Sequence, residues 1–282
     1  GEHVYFSLSN GKLSVSSSNF QADFATISSD DFPEIEINEE QTPITVKSSV
    51  LKRLLSKTSF SMATQDVRYY LNGMLLEIVG NKINGVATDG HRLAFSSATT
   101  NSVDLDVRNI LPRKAVLELS KLLLQNEETI DLLIGASYVD VRSENLSFSC
   151  KLIDGKYPDY NKVFPAGEPL PLEINKEILQ SALSRASVLS NEKYRGVRFQ
   201  LSEDKLKLTA NNPEQESAEE EVDVIYKGSE LEVGFNIGYL IDVLNSIDSE
   251  TVSFEFYGED SSCIIKEENS EDDVYVIMPM RL

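Results

Sequence analysis

The chain has 282 residues, a formal charge of −20 and 41% hydrophobic residues, long enough for two domains and part of a third and too apolar to be disordered. There is no apolar run of about 18 residues to span a membrane, and no charged-then-apolar leader opens the sequence. With two cysteines and two histidines, neither a disulfide framework nor a zinc site is expected, and a reducing cytoplasm fits best.

In chain order, Asn10-Gly-Lys-Leu-Ser-Val-Ser-Ser17 reads as a turn entering an alternating strand. Ile44-Thr-Val-Lys-Ser-Ser-Val-Leu-Lys-Arg-Leu-Leu55 reads as a strand and then an amphipathic helix. Val50, Leu51, Leu54 and Leu55 make its apolar face. Asn81 to Asp89 is a turn and an alternating strand, Pro112 to Leu124 a second helix, and Thr129 to Ile134 with Tyr138 to Arg142 a hairpin. The same order returns after roughly 125 residues, a usual domain length. Leu172 to Leu183 repeats the strand and helix, with Ile178, Leu179, Ala182 and Leu183 on its face. Asp204 to Asn212, the helix Asn236 to Ile247, and the hairpin Thr251 to Tyr257 with Cys263 to Lys266 follow.

Two helices and many short strands per repeat predict an α+β fold, each unit packing its helices on antiparallel sheets. Asn10 to Ser17 also resembles Ser143 to Cys150, and Asp31-Phe-Pro33 resembles Lys156-Tyr-Pro158. The expected division is therefore 1–41 as the remnant of an earlier copy, then 42–168 and 169–282. A chance N-terminal hairpin is the alternative for the first segment.

The net charge alone argues against nucleic acid, but its distribution does not. Lys47, Lys52, Arg53, Lys57 and Arg68 lie in a segment with the single acid Asp66, whereas Glu214 to Glu230 and Glu250 to Asp273 are heavily acidic. One basic surface on an acidic exterior fits this pattern; so does an acidic protein with one solvated basic helix. The run Glu219 to Glu221 with Asp223 reads as a solvated strand edge rather than a metal or acid–base site. No nucleophile elbow, phosphate-binding loop or histidine-based triad is present.

Several strings are more specific. They are Phe60-Ser-Met-Ala, Asp66-Val-Arg-Tyr-Tyr-Leu-Asn-Gly-Met74, Ala87-Thr-Asp-Gly-His-Arg-Leu-Ala94, Leu189-Ser-Asn-Glu-Lys193, Ala210-Asn-Asn-Pro-Glu-Gln215 and Val276-Ile-Met-Pro-Met-Arg-Leu282. Read physically, Asp89-Gly90 is a turn that exposes His91 and Arg92. The two C-terminal methionines offer an adaptable apolar surface, or else a last strand tucked into its own domain. Tyr69 and Tyr70, beside Gln65 and Arg68, suit contact with sugars and phosphates or, alternatively, cross-strand packing.

In these strings, and in their order over essentially the whole chain, the sequence resembles the bacterial DNA sliding clamps, the beta subunits of DNA polymerase III. The resemblance implies a non-catalytic ring of two subunits, tandem clamp domains with helices lining the hole, and no cofactor. It implies sequence-independent duplex DNA as one partner. Others are the polymerase III catalytic subunit, the clamp loader and further proteins with clamp-binding peptides. The implied peptide pocket comprises Leu71, Thr88, Gly90, His91, Arg92, Leu93, Pro158, Lys162, Val163, Tyr194, Asn236, Tyr239, Val276, Ile277, Met278, Pro279, Met280 and Arg281. Lys162 stands where better-known members carry arginine, so a bidentate contact is not expected there.

The implied DNA contacts are Lys52, Arg53, Gln65, Arg68, Tyr69, Tyr70, Arg113 and Lys114, with Lys57 on the same helix. The implied head-to-tail subunit joint uses Val188 and Leu189 on one side and Phe24 and Ile27 on the other. With most of a first domain missing, ring closure by these residues alone is expected to be weak. A DNA-independent protein scaffold and an enzyme of acidic chemistry are the competing readings; retention on circular but not linear DNA separates the first from a clamp.

Overall fold

The computed structural model describes residues 3–32, 40–100, 105–268 and 270–281. The chain falls into two compact units, 1–39 and 40–282. The first is an antiparallel meander of Tyr5–Ser9, Lys12–Ser17 and Phe20–Ala25. Its first turn is Asn10-Gly11, both at positive φ, as a two-residue turn matching the strand twist requires. No described residue of this unit is buried, and Tyr5, Phe6, Leu8, Phe20, Phe24 and Ile27 are exposed.

The second unit contains the repeat. In its first copy, the strands Gly73–Gly80, Lys82–Thr88, Arg92–Thr99 and Leu105–Pro112 pair in the spatial order third, second, first, fourth. Gly196–Ser202, Lys205–Asn211, Ser217–Asp223 and Leu231–Asn236 repeat that order in the second copy. Each copy has a second set. Thr42–Lys47 pairs with the meander Thr129–Ile134, Tyr138–Arg142 and Ser147–Lys151, and Leu170–Asn175 pairs with Thr251–Phe256, Cys263–Glu267 and Asp273–Ile277. The copies are joined edge to edge. Asp273–Ile277 pairs antiparallel with Arg92–Thr99, Val276 opposite Leu93 and Ile277 opposite Arg92, giving one nine-stranded sheet.

Among the described residues, four α-helices pack on these sheets: α1 (Ser48–Thr58), α2 (Arg113–Leu122), α3 (Lys176–Ser187) and α4 (Ile237–Ser246). Leu51, Leu54 and Leu55 of α1 are fully buried against Leu76, Ile78, Ile83 and Ala87 of the sheet, each burial contributing about 2 kcal/mol. The open N-terminus of α1 donates to the 124–128 loop: Ser48 N to Glu128 O at 2.8 Å and Ser49 N to Asn126 O at 3.2 Å. Asparagines cap the helices of the second copy. Asn175 Oδ1 accepts from Ile178 N, and Asn236 Oδ1 from Gly238 N and Tyr239 N, each cap contributing about 1 kcal/mol.

Three expectations change. Ile178, set against Val50 as a core position, is 52% exposed, and α3 packs through Leu179, Ala182, Leu183 and Ala186. The predicted helix 112–124 ends at Leu122, because Leu123 is extended. In the first unit the middle strand Lys12–Ser17 takes the place of Tyr138–Arg142, and Phe20–Ala25 that of Ser147–Lys151, because each segment is a three-strand meander. The sequence pairing was therefore one strand off, since short alternating strands look alike in any position. Pro33 of the Phe-Pro match lies outside the described residues, as does Leu282.

Candidate functional site

At the join between the copies, the 88–93 loop is built from its own polar groups. Asp89 Oδ1 accepts from His91 N and Arg92 N at 2.9 and 3.1 Å. Thr88 Oγ1 donates to Arg92 O at 2.6 Å and accepts from Gly90 N at 3.0 Å. Gly90 has φ +91°, a backbone conformation that favours glycine, and the end of the Arg68 side chain lies 2.9 Å from where a Cβ would stand. The chain then passes alongside: Met278 N donates to His91 O at 3.0 Å, extending the pairing beyond Ile277.

Arg92 is the centre of this join. It donates to Asp89 Oδ2 at 3.1 Å, to Asp242 Oδ2 at 2.6 Å and to Phe60 O at 2.7 Å. Its guanidinium also lies 4.4 Å from the Tyr239 ring centre, close enough for cation–π attraction. Burial pushes the Tyr239 hydroxyl pKa up. Phe60, Asp242 and Tyr157 were missed in the sequence. Asp242 did carry a signal: it is the one acid on apolar α4, three residues from Tyr239 and so on the same face.

The residues named for the pocket divide into a floor and a rim. Leu71, Leu93 and Val276 are buried in one cluster with Tyr157, and Val163 packs against it; Thr88 is buried beside them. Gly90, His91, Pro158, Lys162 and Met278 are accessible around it. Tyr194 is exposed, and its carbonyl accepts from Asn236 Nδ2 at 3.2 Å. Two corrections apply. Ile277 is fully buried in the second copy's core, because alternate residues of a strand face opposite sides. Pro279, Met280 and Arg281 leave the Met278 position and line a separate depression with Arg198, Glu232 and Glu259. Met280 N donates there to Gly234 O at 2.8 Å.

The basic segment does not offer five free charges. Lys47 pairs with Glu127, and Lys52 donates to Leu123 O at 2.8 Å. Arg53 pairs with buried Asp273 at 2.9 Å and also donates to Ser97 O. Lys57 is buried, donating to Asp248 at 2.8 Å, Glu267 at 2.6 Å and Ser246 O at 2.5 Å. Arg68 chelates Asp66. The assignment of Arg53 and Lys57 to DNA is therefore corrected: both reach across to acids of the second copy. Arg113 donates to Met62 O at 3.1 Å, while Lys114 is exposed.

Gln65, at φ +56°, Val67, at 96% exposure, and Tyr69 form the tip of the 64–69 loop. Asn72 braces that loop, accepting from Asp66 N and donating to Asp66 O, both at 2.9 Å. Tyr70 is half-buried, edge-on to Tyr69. Val188, just beyond α3, is 79% exposed, with Leu189 half-buried next to it. Among the described residues, no group of His, Cys, Asp and Glu is placed to hold a metal ion, and no helix is long and apolar enough to cross a membrane.

Comparison with known proteins bears on what this join does. Residues 45–159 match the central domain of the DNA polymerase III beta subunit and residues 161–281 its C-terminal domain. The beta sliding clamp of Pseudomonas aeruginosa is 44% identical over 272 residues, covering 96% of this chain and 74% of the relative. That of Escherichia coli K12 is 42% identical over 282 residues, covering 100% and 77%. A crystal structure of the P. aeruginosa clamp bound to griselimycin superposes with a TM-score of 0.95 at 43% identity, covering 99% of this chain and 76% of that one. The chain thus spans about three-quarters of the length of these relatives.

Proposed function

The chain belongs to the family of DNA polymerase III beta subunits, the beta sliding clamps, and on that premise we propose how its residues do a clamp's work. A sliding clamp is a processivity factor and not a catalytic subunit. It holds duplex DNA by encircling it, so tight base contacts would defeat the purpose. With most of the basic segment's charge paired internally, the remaining attraction comes from Lys52, Lys114, Arg113, and the exposed tip of Gln65 and Tyr69, with Arg68 and Tyr70 behind it. Such contact is weak, sequence-independent and salt-sensitive. The chain's excess of acid disfavours DNA on other surfaces.

Partner proteins are held at the join of the two copies. The observation that carries this reading is the hydrogen bond from Met278 N to His91 O, which holds the backbone of an exposed methionine against an exposed loop, next in sequence to Val276 of the apolar cluster with Leu71 and Leu93. A short linear peptide would bury leucine and aromatic side chains there. The rim is formed by His91, Arg92, Pro158, Lys162, Val163, Tyr194, Asn236 and Tyr239.

On this reading, residues 42–168 and 169–282 are the second and third clamp domains, and 1–41 belongs to the first. The partners are the polymerase catalytic subunit, the clamp loader and a second clamp subunit, in the cytoplasm. Val188 and Leu189 meet Phe24 and Ile27 of that second subunit. Two measurements test it. Griselimycin, and a short peptide carrying leucine and phenylalanine, are titrated against the chain with and without residues 278–282; equal affinity after the deletion sinks the pocket. Retention of the intact protein on nicked circular DNA, with release on linearisation, tests encirclement; release at the same rate from both sinks the clamp mechanism in favour of a DNA-independent scaffold.

A further inference from the structure

The segment joining the two copies crosses the face of the nine-stranded sheet opposite α1. Between Ser147–Lys151 and Leu170–Asn175 its regular structure is the single bridge of Ile153 to Ile110 and one 3-10 turn, Tyr160–Val163. Backbone with so few ladder bonds opens readily unless side chains hold it. This connector nevertheless carries Pro158, Lys162 and Val163, one wall of the pocket proposed above.

Two tyrosines hold it at fixed points. Tyr157 Oη accepts the buried N–H of Thr88 at 3.1 Å. Thr88 is the residue whose hydroxyl braces Gly90 and Arg92, so this bond ties the connector straight to the His91 loop. Tyr160 Oη donates to Glu77 Oε2 at 2.7 Å. Glu77 is buried in an apolar cluster, where a carboxylate is costly unless several donors meet it. Its other donors are fixed in the sheet: Asn84 Nδ2 at 3.0 Å and Arg108 Nε at 3.1 Å, both directly opposite it on neighbouring strands. Asn84 is itself held by Ser97 Oγ at 2.8 Å. With Arg108 on Oε1 and Asn84 on Oε2, the Tyr160 hydroxyl is the third donor to this carboxylate and the one that the connector supplies. Burial first, then the Glu77 hydrogen bond, push that hydroxyl's pKa up, so it stays a donor.

We propose that Tyr157 and Tyr160 are positioning residues for peptide binding: their hydroxyls lock the connector in register so that Pro158, Lys162 and Val163 stand as a preformed wall. The proposal rests on the pocket reading above. Neither hydroxyl touches the ligand; their loss acts by letting the wall drift, which lowers the fraction of molecules ready to bind.

The test uses Tyr157→Phe, Tyr160→Phe and the double variant in the full chain. Amide exchange of residues 158–164 and the affinity for griselimycin are measured side by side. The expected result is faster exchange confined to the connector in both single variants. Affinity should fall about five- to tenfold in the double variant, as it would if only a fifth to a tenth of molecules kept the wall in place. Should the double variant unfold, each single variant still answers the question. Unchanged affinity despite faster exchange overturns the proposal, as does lost affinity without faster exchange. A folded parent that binds neither griselimycin nor the leucine–phenylalanine peptide overturns the pocket reading and this proposal with it, whereas a binding parent matched by its variants overturns the positioning role alone.

Discussion

Arg92 and Asp242 face each other across the join of the two copies, with Nη1 and Oδ2 2.6 Å apart. Arg92 is nearly buried, while Asp242 is about half-exposed. Removing the acid therefore leaves a guanidinium that still has Asp89 and Phe60 O. Asp242→Ala should cost about 1 kcal/mol and Arg92→Lys about 2, since lysine cannot fork between three acceptors. Urea unfolding decides it; a larger loss for Asp242→Ala than for Arg92→Lys would refute this account of the join.

Lys57 makes a stronger link of the same kind. Burial alone would lower its pKa, but the hydrogen bonds to Asp248 and Glu267 outweigh that and the net shift is upward from 10.5. A raised lysine stabilises the fold fully below its unfolded value and ceases to do so as pH climbs through the folded value. Stability should thus be lost above pH 10.5 in the parent and less so in Lys57→Met. At neutral pH that variant should be less stable by about 2 kcal/mol, because Glu267 is left largely shielded from solvent without its cation. Thermal melts at neutral and alkaline pH separate the two effects.

Asp66 shows the opposite sign. The Arg68 side-chain hydrogen bond, then its backbone one, hold the Asp66 carboxyl at about 2 rather than 3.8. Its contribution to loop order is present above the unfolded value and disappears as pH falls from 3.8 through about 2. Carboxyl NMR should report a midpoint near 2 in the parent and a higher one in Arg68→Ala, still held below 3.8 by the backbone N–H that the variant keeps.

The same pair bears on DNA. Asp66 competes with phosphate for Arg68, so Asp66→Asn should tighten duplex binding at low salt and steepen the salt dependence by about one phosphate contact. Anisotropy across a salt series checks this; a slope unchanged from the parent would leave Arg68 outside the DNA surface.

Arg53 and Lys52 should behave differently although they are neighbours. Arg53→Ala breaks the pair with buried Asp273 and should cost about 2 kcal/mol of stability with little change in DNA affinity. Lys52→Ala with Tyr69→Ala should weaken DNA binding at low salt and leave the melting temperature nearly unchanged. The reverse pattern would put Arg53 back on the DNA surface.

Much of this was legible beforehand because it is local. Helical spacing of Leu51, Leu54 and Leu55, the turn at Asp89-Gly90 and the return of the strand-helix order after the first copy depend only on neighbours in sequence. The acids that Arg53, Lys57 and Arg92 reach across the join were not legible. Each lies in the other copy, and nothing near a cation in sequence says whether its charge meets solvent or a distant acid. The floor of the pocket was named by resemblance, but its buried and accessible members could not be told apart. Whether Ile277 or Met278 faces a ligand depends on strand register, and that is settled only when Asp273–Ile277 finds Arg92–Thr99.

That pairing also constrains biosynthesis. The strand 273–277 enters the middle of the nine-stranded sheet, between Cys263–Glu267 and Arg92–Thr99. Translation must therefore reach residue 277 before the first copy's edge at Arg92–Thr99 is covered. Until then a nascent chain presents an open row of amides and carbonyls beside buried-type side chains, the form most prone to pairing with another chain. The vulnerable interval lasts as long as the ribosome needs to traverse the second copy, so slow decoding in that stretch would be expected to lower the yield of folded protein without altering a single residue of it.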